Sequence, residues 1–148
     1  MKNKKSINKQ AIIFIIIAII IVILICISEA YKKNTNINKP ITGIKEFHLE
    51  ITGIGYTSYD FTCNKQCFDD KGNELSKEQV NKIIKILNKH KVRKWNGFQK
   101  KNDNDWSDAS GFKLNIVLDD NSSITASGVM AYPEEYDDFG KEIGEQLK

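Results

Sequence analysis

Cysteine, proline and histidine are scarce in this chain, at three, two and two of 148 residues. So few cysteines exclude a disulfide-dense miniprotein, and so few prolines exclude a collagen-like chain. No G-x-S-x-G, H-E-x-x-H, P-loop or dinucleotide fingerprint occurs, so none of those catalytic or nucleotide-binding frameworks is signalled. Uniform basicity is missing too. The formal net charge of +3 traces to Lys2, Lys4, Lys5 and Lys9, and beyond residue 30 basic and acidic residues are equal in number. A nucleic-acid partner is therefore not expected. With 41% hydrophobic and 28% charged residues the chain is not a disordered one, and its length suits one ordinary domain.

What is present first is Ala11–Ile27, AIIFIIIAIIIVILICI, a run without a single charge. As a helix it spans roughly 25 Å, and Ser28, Ala30 and Tyr31 extend it toward the ~30 Å hydrocarbon core. Three fates are open. The run exceeds the apolar stretch of a cleaved signal peptide and reads first as a retained signal anchor. Ser28-Glu29-Ala30 offers small residues for cleavage after Ala30. Lipidation at Cys26 is the third, although Ile23-Leu24-Ile25 lack the small residue such processing wants. The lysines before the run outnumber Lys32 and Lys33 just after it, which places the N-terminus inside and the remainder outside. The expected organisation is a cytoplasmic basic tail (1–10), a transmembrane signal anchor (11–30), a polar tether (31–40, YKKNTNINKP) and an extracellular domain (41–148).

Within the domain, Phe47, Leu49 and Ile51 alternate with His48, Glu50 and Thr52, the two-residue period of a strand with one buried face. Gly53-Ile54-Gly55 supplies a turn, and Tyr59, Phe61 and Cys63 alternate with Asp60 and Thr62 in a second strand. Ser76 with Gln79 has the spacing of a capping box, and Val80, Ile83, Ile84 and Leu87 mark the apolar stripe of a helix. Phe112, Leu114, Ile116 and Leu118 alternate with Lys113, Asn115 and Val117. A turn at residues 119–123 then returns the chain as Ile124–Gly128. Pro133 is expected to open a last helix whose buried stripe is Tyr136, Phe139, Ile143 and Leu147. The order β-β-α-β-β-α predicts a two-layer α+β domain, an antiparallel sheet covered on one face by two helices. Its other face, carrying His48, Glu50, Thr52, Lys113 and Asn115, is expected to be polar and open.

The Trp95-Asn96-Gly97-Phe98 motif, Asp108 ahead of the alternating strand, Ser127-Gly128 and the spaced Pro133 together resemble a family of exported α+β domains. These occur in membrane-anchored proteins and lipoproteins of Gram-positive anaerobes, and no activity is known for them. The resemblance covers roughly residues 76–148 and implies an exported domain.

Cys63 and Cys67 are the only cysteines outside the apolar run, and three readings stand: a disulfide, two packed thiols, or a metal or redox pair. Bridging requires Asn64-Lys65-Gln66 to turn tightly, because in an extended strand the two Cα atoms lie about 13 Å apart. His48 is expected outward on its strand, and His90 at a helix C-terminus where a positive side chain suits the carbonyls. Residues 102–108 begin like an EF-hand loop. Counted from Asp103, however, Asp108 stands where glycine is needed and Leu114 where glutamate is needed, so a solvated loop is expected.

The stretch between Gln79 and Asp103 is basic and free of acids, with Trp95 and Phe98 interleaved. One reading is a binding surface of Lys91, Arg93, Lys94, Trp95 and Phe98 for anionic headgroups, an envelope polyanion or an acidic partner. The other is a solvated helix face whose aromatics enter the core. No residue is assigned a catalytic, cofactor-binding or metal-binding role. The function expected is a membrane-tethered extracellular binding domain, non-catalytic. It would meet the lipid bilayer through residues 11–27 and an envelope protein or anionic envelope polymer through its domain. The alternatives are an envelope enzyme or accessory subunit using loop carboxylates such as Asp103, Asp105 and Asp108, or an inhibitor of a secreted enzyme.

Overall fold

Nothing in the sequence interrupts a helix between Lys9 and Asn38, and the structure contains one there, α1, 30 residues long. The computed structural model describes residues 9–53, 55–102 and 110–147, and the chain divides into two units between Asn38 and Lys39. In α1 the segment Ile12–Glu29 has a mean hydropathy of 3.3 and is not buried in protein, which makes it a candidate membrane span or signal sequence. A helix satisfies all interior backbone groups within itself, so this isoleucine run suits hydrocarbon better than water. The tether expected over 31–40 is corrected in one respect: its first eight residues continue the helix. The stop belongs to Pro40, whose ring disfavours helical backbone at Lys39.

The second unit, Lys39–Lys148, is built on a seven-stranded sheet. Its elements are β1 (Ile44–Thr52), β2 (Tyr56–Cys63), β3 (Cys67–Asp69), β4 (Glu74–Leu75), α2 (Lys77–Lys89), a 3₁₀ turn (Val92–Trp95), β5 (Phe98–Lys101), β6 (Gly111–Leu118), β7 (Ser123–Val129) and α3 (Tyr136–Gln146). The strand order is β4-β3-β2-β1-β6-β7-β5. An α+β fold is thus present, but the expected antiparallel sheet is mixed, because β5 pairs parallel with β7. Three strands lie outside the expected order. β3 and β4 are too short to display a two-residue period. β5, FQKK, has no alternation and is placed by its neighbours. Gly97, at φ 83°, turns the chain and donates its N–H to the Thr125 carbonyl at 2.8 Å, while the Asn96 side chain accepts from the Thr125 N–H at 3.0 Å.

Central β1 joins the two halves of the sheet, with β2 on one side and β6 on the other. Its alternate residues Phe47 and Leu49 are buried, as are Phe61 on β2, Leu114 and Ile116 on β6, and Ile124 and Ala126 on β7. One continuous core cluster unites them with Ile83 and Leu87 of α2 and Phe139 and Ile143 of α3. Each fully buried aliphatic or aromatic side chain contributes about 1.5–3 kcal/mol.

The capping box forms as the spacing indicates: Gln79 N–H donates to the Ser76 hydroxyl, and Ser76 N–H to the Gln79 side chain. Pro133 does not open α3. The helix starts at Tyr136 behind Glu135, whose backbone is left-handed at φ 65°. Between β7 and α3 the chain folds back so closely that a Cβ on Gly128 would stand 1.9 Å from the Ala131 carbonyl oxygen, which only glycine permits.

Candidate binding face

Strand alternation places Glu46, His48 and Glu50 of β1 on the face turned away from the core. Register sets His48 opposite Asp60 on one side and Asn115 on the other, with Glu50 between Ser58 and Lys113. The open-face residues inferred from the sequence, His48, Glu50, Thr52, Lys113 and Asn115, therefore share one surface.

At its centre the His48 Nδ1–H donates to one oxygen of Asp60 and the Ser58 hydroxyl donates to the other. The His48 Nε2 lies 3.6 Å from Glu50 Oε2. Partial burial works to raise the Asp60 carboxyl. The hydrogen bonds from Ser58 and His48, with the histidine's charge, outweigh it and hold the acid below its ordinary value. The carboxylate stands between the serine and the histidine. In the catalytic triad the histidine stands between the other two and takes the serine's proton. Here Ser58 donates to a carboxylate instead of to the imidazole, so the trio holds the His48 ring and the Ser58 hydroxyl in place without activating the serine as a nucleophile.

A groove of about 280 Å³ opens beside this trio, lined by Glu46, His48, Asp60, Phe68 and Asp70, with Asn115 across the sheet. Phe68, 40% exposed, adds an aromatic ring to this face, where Tyr56 of β2 is also exposed and Val117 of β6 lines the groove. Asp69, at the groove's rim, accepts from the Asn73 side chain at 2.8 Å and from the backbone of Asn73 and Lys71. These bonds, the Asn73 side chain foremost, lower its carboxyl below the ordinary value. Among the described residues no group of three His, Cys, Asp or Glu is arranged to hold a metal ion.

Cys63 and Cys67 are joined by a disulfide across the β2–β3 hairpin, with Cα atoms 4.0 Å apart. They are register partners, so Asn64-Lys65-Gln66 makes the tight turn that bridging requires.

The basic surface expected from Lys91, Arg93, Lys94, Trp95 and Phe98 does not hold together. Lys91 and Lys94 are exposed, whereas Trp95 is only 5% and Arg93 7% exposed. The 3₁₀ turn accounts for this, because its three-residue repeat directs Val92 and Trp95 to the same side. Trp95 meets Phe139 edge-on at 4.9 Å, and Phe98, half-buried, packs on Phe112. Arg93 donates to Ser122 at 3.2 Å and to Asp120 at 3.3 Å, at the β6–β7 turn.

His90 stands at the C-terminal end of α2 as expected, and it is buried there, 4% exposed, with Nδ1 3.4 Å from Glu135 and Nε2 3.3 Å from Glu142. Lys89 donates to Glu142 at 2.5 Å, and that bond foremost, with a further contribution from His90, holds the Glu142 carboxyl below its ordinary value. No spacing signal links His90 to α3, because the partners are roughly fifty residues away and meet only through tertiary packing. The loop carboxylates Asp103, Asp105 and Asp108 lie outside the described residues. No protein-family model, no curated protein and no solved structure matches the chain.

Proposed function

We propose that the chain is a membrane-tethered extracellular binding module, non-catalytic, with α1 retained as the anchor and the N-terminus inside. Its partner would be an envelope component. The observation that carries the reading is a helix long and apolar enough to span a bilayer, followed by a separate unit whose sheet turns a grooved polar face away from its core. The two-layer arrangement belongs to this reading. It is supported by one cluster holding the sheet's Leu49 and Leu114 together with Leu87 of α2 and Phe139 of α3. Binding is favoured over catalysis because the Ser58 hydroxyl donates to the Asp60 carboxylate and not to the His48 imidazole, the base that would have to take its proton. The lysine excess ahead of the apolar run supports the orientation, and the resemblance to exported domains supports the location.

The test is a pull-down from crosslinked cells with a tag after Lys148, read by mass spectrometry beside an anchor-deleted control. An envelope protein captured by the full chain and lost in the control is the expected result. Capture of nothing reproducible overturns the reading. Protease added to intact cells should digest the domain, and full protection reverses the orientation.

A further inference from the structure

β2 has an unpaired edge. It pairs with β1 from Tyr56 to Thr62, but on its other side β3 covers only Phe61–Cys63. The Asp70 N–H donates to the Asp60 carbonyl at 3.2 Å, which fixes the alternation of the strand. At Asp60 the backbone groups point away from β1, so by the antiparallel repeat those of Ser58 and Tyr56 do as well. Past Asp70 the chain leaves the sheet through Lys71-Gly72, and the outward backbone groups of Tyr56 and Ser58 meet no backbone partner among the described residues. Soluble proteins blunt such edges with proline, lysine or a covering loop. Tyr56-Thr57-Ser58-Tyr59 carries neither residue, and three of the four favour extended backbone.

A cleft of about 620 Å³ runs along this edge, bounded by Thr57–Asp60, the Asp69–Leu75 segment and the C-terminal end of α3. On its core side it offers apolar surface from Tyr59, Leu75 and Leu147. Elsewhere its lining carries Asp60, Asp69, Asp70 and Glu74 against one cation, Lys71. Asp60, Asp69 and Asp70 line the 280 Å³ groove of the outer face as well, so cleft and groove meet at these carboxylates.

We propose that this edge takes up an extended, basic segment of a partner protein as an added strand. The proposal rests on the reading of the domain as a binding module and names the chemistry of its partner. Backbone groups of the segment pair with Tyr56 and Ser58. Its side chains alternate, apolar ones toward Tyr59, Leu75 and Leu147, lysines or arginines toward Asp60 and Asp70. A basic side chain entering the outer groove also meets the exposed ring of Phe68, a surface that attracts cations. Main-chain pairing supplies affinity and the alternating sides supply selectivity, as in other strand-addition complexes.

The test uses the full chain in detergent micelles and a short labelled peptide alternating valine and lysine. Comparison peptides replace lysine with glutamate, or carry N-methyl groups at alternate positions on the pairing edge. Ser58→Pro removes one outward N–H together with the hydroxyl that donates to Asp60, so Ser58→Ala, which loses the hydroxyl alone, is its reference, and melting curves of both verify the fold. The lysine peptide should bind saturably and the glutamate peptide should not. N-methylation, and Ser58→Pro, should each weaken binding about tenfold. If Ser58→Pro fails to fold, the N-methylated peptide puts the same question from the ligand side. Equal binding of the N-methylated and parent peptides, equal binding of the glutamate peptide, or no saturable binding overturns the proposal. A cellular partner retained undiminished by a folded Ser58→Pro chain overturns strand addition and leaves the module reading standing. Peptide binding with no partner captured from cells overturns the module reading instead.

Discussion

Asn88 grips Ile41 by both backbone groups: the Ile41 N–H donates to the Asn88 side-chain oxygen at 2.8 Å, and the Asn88 amide donates to the Ile41 carbonyl at 2.8 Å. The same amide also reaches the Ile84 carbonyl within α2. A residue at the end of one helix thus fixes the segment that leads into β1. Asn88→Ala should cost about 1–2 kcal/mol of unfolding free energy, measured by denaturant titration followed by tryptophan fluorescence. Asn88→Asp, which keeps the acceptor but turns a carboxylate oxygen onto the Ile41 and Ile84 carbonyls at a helix C-terminus, should cost at least as much. No change in Asn88→Ala would mean the pair is ornamental.

Burial of Trp95 against Phe139 separates core from surface within the basic stretch. Trp95→Ala should destabilise by about 3–5 kcal/mol, whereas Lys91→Ala and Lys94→Ala should stay within about 0.5 kcal/mol of the parent. Comparable losses at all three positions would contradict the packing described.

The pH dependence has a definite sign. Asp60, Asp69 and Glu142 all titrate below their ordinary values in the folded chain, so the unfolded chain takes up protons first as the solution is acidified. Their stabilisation is complete above the unfolded values and is lost as the pH falls through the folded ones. The denaturation midpoint should therefore be steady near neutrality and fall below about pH 4.5. Asp60→Asn and Glu142→Gln should each flatten that fall. A midpoint rising toward acid would reverse the assignment.

Thiol counting addresses the hairpin. The denatured, unreduced chain should show one reactive thiol, Cys26, and reduction should release Cys63 and Cys67 as well. Because the bridge closes a very small loop, replacing both cysteines with serine should cost only about 2 kcal/mol. Three thiols before reduction would remove the bridge.

Much of the sheet was legible because β1 and β6 bury one face each, so the two-residue period of Phe47-Leu49 and Leu114-Ile116 appears directly in the sequence. Outward-facing His48, Glu50, Lys113 and Asn115 follow from the same period. β3, β4 and β5 left no such trace, for their pairing comes from neighbouring strands and from turns at Gln66, Gly72 and Gly97. Trp95 was ambiguous for a related reason. A tryptophan among lysines reads equally as a surface anchor or a core plug until the 3₁₀ turn fixes its direction. The unpaired edge of β2 lay beyond sequence reasoning altogether, since it depends on where β3 departs.

The position of β1 between β2 and β6 also governs the order in which the chain can fold. β2 follows β1 after a short turn, but the pairing with β6 joins residues roughly sixty to seventy positions apart, so loop-closure entropy is incurred before any ladder bond offsets it. A chain emerging N-terminus first forms the β1–β2 hairpin early and holds the far side of β1 vacant until β6 is synthesised. During that interval the β1 edge, rather than any surface of the finished domain, is where an assisting protein would act and where misassociation would begin.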